Sequence, residues 1–507
     1  MVRLLLSTLL ILGVSRSSWG STEDEEKQKF LVNLERTAFF DTELLQEIGR
    51  LPEFASSNVL LSPISVKAAL GMLWEGAGPV AAREISLALR LPESKDEVRQ
   101  FFSTVLQSLQ KRSNEQEYTL DLANRLYVTD SLILNDQKGN QSRSDGYSRG
   151  VSSGDKKKPA TTTTTPQPAR TSTAPTPAIP VIEPDFVRAL THYYGAEATF
   201  LDFSKASEAA AVINGWASDL THGLITSVVS PETISGDTQL FIGNVVYFKG
   251  KWENSFDPEH SKPANFYVQN KSPIEATMME QLNYFKYAAI DSLAATALEL
   301  PYTGNKFSML LLLPNDRNGI SQMMRDLPHN PLNSIVSQLE LQEVHVLLPK
   351  FEAEFNTDLV GVLHNLGIQK IFETFEGGLP GVSRRFPLKV DGVQHSVKVI
   401  VNELGTEAAA ATGILVVPLM GGSVPKFEAN HPFLFFIRDL ETGAFLFGGK
   451  VVQPSRHVPS STSPRPLRRP QAPPNRVTSS SPRRTRMAFY PSLIPGQDED
   501  RMVFEQD

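Results

Sequence analysis

The sequence predicts an α+β fold built as one large domain. Helix-period stretches come early, strand-period stretches dominate later, and the two do not alternate as they would in a doubly wound sheet. Among the early stretches, residues 97–109 place Val98, Phe101, Phe102, Val105, Leu106 and Leu109 on one side of a helix. Later, residues 343–351 and 396–401 are β-rich, and residues 433–437 read as a strand. Leu440-Glu441-Thr442-Gly443 then turns the chain into a partner strand at residues 445–452. No internal repeat is apparent.

Taken in order, the first element is a leader. Arg3 precedes an apolar run over residues 4–14, and Ser18-Trp19-Gly20 supplies small residues for cleavage. Residues 1–20 therefore read as a secretory signal, too short to span a bilayer, and an extracellular protein follows. The next longest apolar run, residues 309–313, stops at Pro314, so no membrane association is expected. The 507 residues contain no cysteine. That excludes thiol catalysis, iron–sulfur clusters and cysteine zinc sites, and it requires a core large enough to need no staples. A net charge of −7 gives no general attraction to nucleic acid.

Two segments stand apart. Residues 138–180 are Ser, Thr, Pro and Gly rich, with Lys156, Lys157 and Lys158 clustered and a threonine run at 161–165. Too few large apolar residues remain there to offset the entropy of ordering, so a disordered insertion is expected. Residues 455–507 form a Ser/Pro tail with Arg468-Arg469 and Arg483-Arg484-Thr485-Arg486, also expected to be disordered. Either cluster could take a polyanion. Asn140-Gln141-Ser142 and Asn270-Lys271-Ser272 are N-glycan acceptor sequences in an exported chain. Without leader, insertion and tail, on the order of 390 residues of ordinary globular composition remain.

Enzyme motifs fail on context. Gly150-Val151-Ser152-Ser153-Gly154 fits a nucleophile elbow, but it lies in the polar insertion with no strand before it. There is no His-Glu-x-x-His helix, phosphate-cradling glycine loop or dinucleotide fingerprint. Neither enzymatic chemistry nor a cofactor is expected.

The informative stretch is residues 402–432. Gly405-Thr406-Glu407-Ala408-Ala409-Ala410-Ala411-Thr412 is small and nearly uncharged. Its alanines fit a short helix by propensity. They equally fit an extended segment, because Val397, Val399 and Val401 alternate in the strand that runs into it. Gly405 can adopt dihedrals closed to other residues and serve as a hinge. Small side chains beyond such a hinge could enter a packed sheet at little steric cost.

These residues resemble the hinge of inhibitory serpins. Residues 427–437 (FEANHPFLFFI) fit that family's C-terminal signature, and NVLLSPIS at 58–65, NVVYFKGKW at 244–252 and LLPK at 347–350 match upstream. The resemblance spans about residues 28–454 and is identified across nearly the whole globular part. It implies three sheets ringed by helices and a metastable, exposed reactive loop. Cleavage of that loop would let its hinge insert into the large sheet while the protease is still bound as an ester. Serpin loop insertion is itself a standard example of strand addition with release of strain.

The resemblance also assigns roles. Counting from Thr406 puts the scissile bond at Leu419-Met420, with Met420-Gly421 as the adjacent alternative. From Thr406 to Pro425 there is no Lys or Arg, so serine proteases with an apolar primary pocket, chymotrypsin-like or elastase-like, are the expected targets rather than trypsin-like ones. His395, Asn244, Ser62 and Ser65 match a polar cluster where the large sheet opens. A generic reading of a lone histidine at a strand start is a satisfied structural residue. Glu403 and Lys350 match a pair at the top of that sheet, where an exposed ion pair would contribute about 0–1 kcal/mol, and Trp252 would pack nearby. A monomer is expected. Two other readings stay open: a non-inhibitory serpin acting as carrier, chaperone or storage protein, and an adhesion role for the insertion.

Overall fold

The computed structural model describes residues 22–111, 118–131, 182–268, 271–373, 378–406 and 424–456. All belong to the first of two compact units, Met1–His457; the second, Val458–Asp507, lies outside the described residues. So do the expected leader, the whole of the expected insertion and all but the start of the expected tail.

Four helices come first, separated by one short strand: α1 (Thr22–Arg50), β1 (Val59–Leu61), α2 (Pro63–Gly76), α3 (Pro79–Leu89) and α4 (Lys95–Lys111). Proline occupies the first turn of α2 and α3, where its missing N–H costs nothing. Helix α3 stops at Arg90, which turns left-handed at φ 54°. In α4 all six apolar residues read from the sequence are buried. Helix α2 is buried nearly all round, so its Lys67 needs a partner. It finds the Asp41 carboxylate of α1 at 2.7 Å, where burial lifts that carboxyl to about 6 against the pull of Lys67.

The chain continues through β2 (Tyr118–Thr129), α5 (Pro184–Tyr194), β3 (Glu197–Leu201), α6 (Ala206–Leu220), β4 (Leu240–Lys251), β5 (Lys262–Phe266), β6 (Ile274–Ile290), β7 (Ala295–Pro301) and β8 (Phe307–Pro314). Then come α7 (Ile320–Asp326), α8 (Leu332–Val336), β9 (Glu340–Pro349), β10 (Phe351–Asp358), α9 (Val360–Asn365), β11 (Val390–Asn402), β12 (Gly405–Thr406), β13 (Lys426–Glu428), β14 (Phe433–Asp439) and β15 (Phe445–Val451). The apolar run at 309–313 is the buried centre of β8. No described helix is long and apolar enough to cross a membrane.

One sheet has the order β10-β11-β12-β4-β2-β3. The other runs β1-β15-β14-β8-β7-β6-β9-β13, with β5 also on β6. Two of the three expected sheets thus join through β6. Its first part pairs with β5 and β9, and its last five residues pair with β7. The main core includes Ile242, Val246 and Phe248 of β4. A second cluster seats α6, through Ala209, Ile213 and Ala217, against Phe241 and Val245 of the same strand. Alternate residues of β4 therefore face opposite layers, as the pleat requires.

Candidate functional site

Strands β4 and β11 lie side by side and parallel, with Cα partners from Val390 and Leu240 to Lys398 and Tyr247. Beyond that level they part, and β12 sits between them, antiparallel to both. Thr406 pairs with Val401 and Gly250, and Gly405 with Asn402 and Lys251. The root of the alanine-rich segment is already the first rung of a strand.

Local chemistry fixes that rung. Gly405 has φ 142°, and a Cβ there would stand 2.1 Å from the carbonyl oxygen of Gly250. Only glycine fits. Thr406 is fully buried, with its hydroxyl 2.9 Å from that of Tyr302. Tyr302 stacks on Trp252 at 4.6 Å, and the indole N–H of Trp252 donates to Asn402 O. Backbone N–H groups of Trp252 and Phe256 donate to Leu404 O and Glu403 O. The turn before the hinge is thus pinned at three successive carbonyls.

Glu403 pairs with Lys350, as expected, and accepts from Ser261 Oγ at 2.7 Å. The carboxylate is not on the surface, however: its side chain is 8% exposed. Burial pushes its pKa up, but the Lys350 and Ser261 hydrogen bonds win and hold it below the ordinary glutamate value.

Lower in the sheet, where β4 and β11 still touch, the four residues of the expected polar cluster come together. The Ser62 N–H donates to His395 Nε2 at 3.0 Å, which leaves that nitrogen unprotonated. The ring hydrogen is then on Nδ1 and is donated to Asn244 Oδ1 at 2.5 Å. Asn244 Nδ2 donates to Ser65 Oγ and to Asn124 Oδ1. Burial drives His395 down to about 3, so the neutral ring is the stable one. Ser62 contributes its backbone; its hydroxyl is buried and makes no hydrogen bond in the structure.

Three participants escaped the sequence. Asn124 on β2 stands directly opposite Asn244, and with Asp121 and Arg125 in the same strand nothing in the sequence singled it out. Tyr302 and Ser261 carried no signal, because their partners are distant in the chain. Glu407, Ala408, Ala409, Ala410, Ala411, Thr412, Leu419 and Met420 lie outside the described residues, as do Asn140, Asn270, the lysines at 156–158 and the Gly150–Gly154 motif. No cluster of metal-ligating side chains occurs among the described residues.

Strands β4 and β11 thus run parallel and then part, with the short β12 seated between their ends. A family profile described as Serpin (serine protease inhibitor) matches residues 35–164 and 180–454. The unmatched residues between fall inside the expected insertion. The chain is 32% identical over 406 residues to "Leukocyte elastase inhibitor" of Xenopus tropicalis, covering 79% of this chain and 94% of that one. It is 31% identical over 403 residues to "Intracellular coagulation inhibitor 1" of Tachypleus tridentatus, covering 79% and 85%. Among solved structures, Serpin48 of Tenebrio molitor superposes with TM-score 0.66 at 26% identity, covering 86% of this chain and 100% of that one. Uncleaved ovalbumin superposes at 0.65 and 24% identity, covering 83% and 100%, a likeness of fold. The chain belongs to the serpin family of serine protease inhibitors, and the two relatives from Xenopus and Tachypleus are both named as inhibitors.

Proposed function

We propose that this chain is an exported suicide inhibitor of serine proteases with an apolar primary pocket, cut at Leu419-Met420. The protease serine Oγ attacks the Leu419 carbonyl. An ester forms, and the amine of Met420 leaves with a proton from the protease histidine. Water would then release the enzyme unless strand insertion intervenes first.

The observation that carries the reading is the seat of β12. Continuing its register down both neighbours pairs Ala408 with Val399 and Phe248, Ala410 with Val397 and Val246, and Thr412 with His395 and Asn244. Those partners are fully or nearly fully buried, so the even-numbered residues would enter the core, where methyl groups fit. Glu407 takes the opposite face, beside Lys249 and Ile400, which keeps its charge out of the core. Thr412 arrives between the two strands at the His395–Asn244 hydrogen bond. Full insertion must break that bond, and a threonine hydroxyl is placed to satisfy both partners. A buried polar network left half satisfied is costly, so it acts as a latch until the hydroxyl arrives.

Export rests on residues 1–20, and the apolar preference rests on Leu419 and the absence of basic residues from the loop. Mixing the full chain with chymotrypsin, elastase and trypsin, followed by denaturing gels, tests the proposal. A covalent band with chymotrypsin or elastase and none with trypsin is expected. Plain cleavage by all three would overturn it.

A further inference from the structure

We propose that the buried Asp41–Lys67 ion pair positions the latch: it fixes the first turns of α2 and, through Ser62 and Ser65, holds the His395–Asn244 hydrogen bond closed until a strand arrives. Lys67 is a positioning residue. Its partners, the Asp41 carboxylate and Thr37 O, both belong to α1, so it acts on the latch through α2.

Helix α2 is buried at every position from Pro63 to Gly76 except Trp74. Such a helix has no solvent face to set its rotation, and well-matched apolar contacts can repack around a small turn or slide. Hydrogen bonds and charges carry that information instead. Glu75, held by Lys95 and Arg99 at 2.9 Å each, fixes the last turn. Lys67, about two turns earlier, is the other charge in the helix.

The pair sits directly behind the latch. Ser65 Oγ accepts from Asn244 Nδ2 at 2.6 Å, and the Ser62 N–H donates to His395. Lys67 follows Ser65 by two positions, roughly 200° around the helix. The two side chains therefore leave α2 on opposite sides, Ser65 toward β4 and Lys67 toward α1. There Lys67 Nζ is 2.7 Å from Asp41, with both side chains 2% exposed, and 3.5 Å from Thr37 O. Helix α1 is itself tied down just beyond. Glu43 takes both terminal nitrogens of Arg90 at 2.9 and 2.6 Å, and Gln46 donates to Met324 O and Arg325 O. The first turns of α2 are gripped between a fixed helix and the latch.

The chemistry separates positioning from stability. Burying the pair costs desolvation, here enough to lift the Asp41 carboxyl to about 6. An apolar pair of similar volume is often as stable or more so, whereas breaking one partner leaves an unpaired buried charge. What the ions supply is direction, since their short contact is made at one rotation of α2. An apolar replacement should keep the fold and lose the grip.

The inference deepens the inhibitor reading, and its test separates the two. Full chains are compared: the parent, Asp41→Leu/Lys67→Met, His395→Ala, and all three substitutions together. Each is held at one temperature below its melting midpoint, and loss of native monomer is followed on native gels. The apolar pair should melt at or above the parent midpoint yet lose monomer tenfold or more faster. Added to His395→Ala, it should quicken the loss by less than about twofold, because residues that act through one latch do not add. Asp41→Asn, the same shape without the charge, gives the same comparison should the apolar pair not fold. Monomer loss at the parent rate from the apolar pair or, where that pair does not fold, from Asp41→Asn overturns the proposal. So does a full multiplication of the two effects in the combined chain. A parent that forms no covalent band with chymotrypsin or elastase removes inhibition and leaves this comparison standing.

Discussion

A single aspartate moved by one residue tests the insertion register. Ala408 is due between Val399 and Phe248, both fully buried, whereas Ala409 is due beside Lys398 on the opposite face. An aspartate at 408 must enter the core, and the cheapest way is to neutralise it. Raising an ordinary pKa of about 3.9 to a working pH of about 7.4 costs roughly 4.8 kcal/mol, at 1.36 kcal/mol per unit. If half of that is felt in the transition state for insertion, the step slows about 60-fold. Ester hydrolysis, which the substitution does not touch, then wins the race. Ala408→Asp should be cut and released, with a stoichiometry of inhibition raised severalfold or more. Ala409→Asp should keep trapping far better, since its carboxylate stays on the face away from the main core, beside Lys398, which already bridges Glu352 and Glu354. Titrating residual chymotrypsin or elastase activity against each variant reads the partition. Equal behaviour of the two variants would refute the register, and a failing Ala409→Asp beside an active Ala408→Asp would reverse it.

Other expectations follow from the same geometry. His395 is neutral in the fold at about 3 but ordinary, near 6.5, when unfolded, so the unfolded state binds the extra proton between those values. Its contribution is complete above about 6.5 and falls by up to about 1.4 kcal/mol per pH unit below it, until the folded ring titrates near 3. His395→Ala should remove that part of the pH dependence while leaving Ser62 N–H and Asn244 Oδ1 unpaired. A lower melting midpoint with polymers on native gels is expected, and unchanged midpoints and no polymers would count against the latch. Gly405→Ala cannot keep φ 142° against the Gly250 carbonyl, so β12 should leave the sheet. A changed Trp252 fluorescence and a higher stoichiometry of inhibition are the readouts.

The hinge and the C-terminal signature were legible because they are local. Gly405 announces its own dihedral freedom, and the alternation of Val397, Val399 and Val401 announces the strand that feeds it. The site is not local. Asn124 and Asn244 are 120 positions apart, and Tyr302 meets Thr406 across 104, so no pattern along the chain ties them together. The β-rich stretch 343–351 is split at Lys350. Pro349 ends β9 in one sheet, and Phe351 begins β10 in the other, pairing with Val401. That break is what delivers Lys350 to Glu403. Glu403, but not Lys350, is covered, and the cover has the same origin: residues such as Ser261 come from elsewhere in the chain.

The central claim is that the intact sheet stores energy that insertion releases. Cutting the loop with a protease that forms no complex, then comparing heat unfolding of intact and nicked chains, measures it directly. Filling ten further positions between β4 and β11 at about 1 kcal/mol per hydrogen bond adds on the order of 10 kcal/mol. Against an unfolding entropy of about 0.8 kcal/mol/K for some 390 residues, the midpoint should rise by roughly ten degrees or more. A nicked chain that melts at or below the intact one would contradict the account.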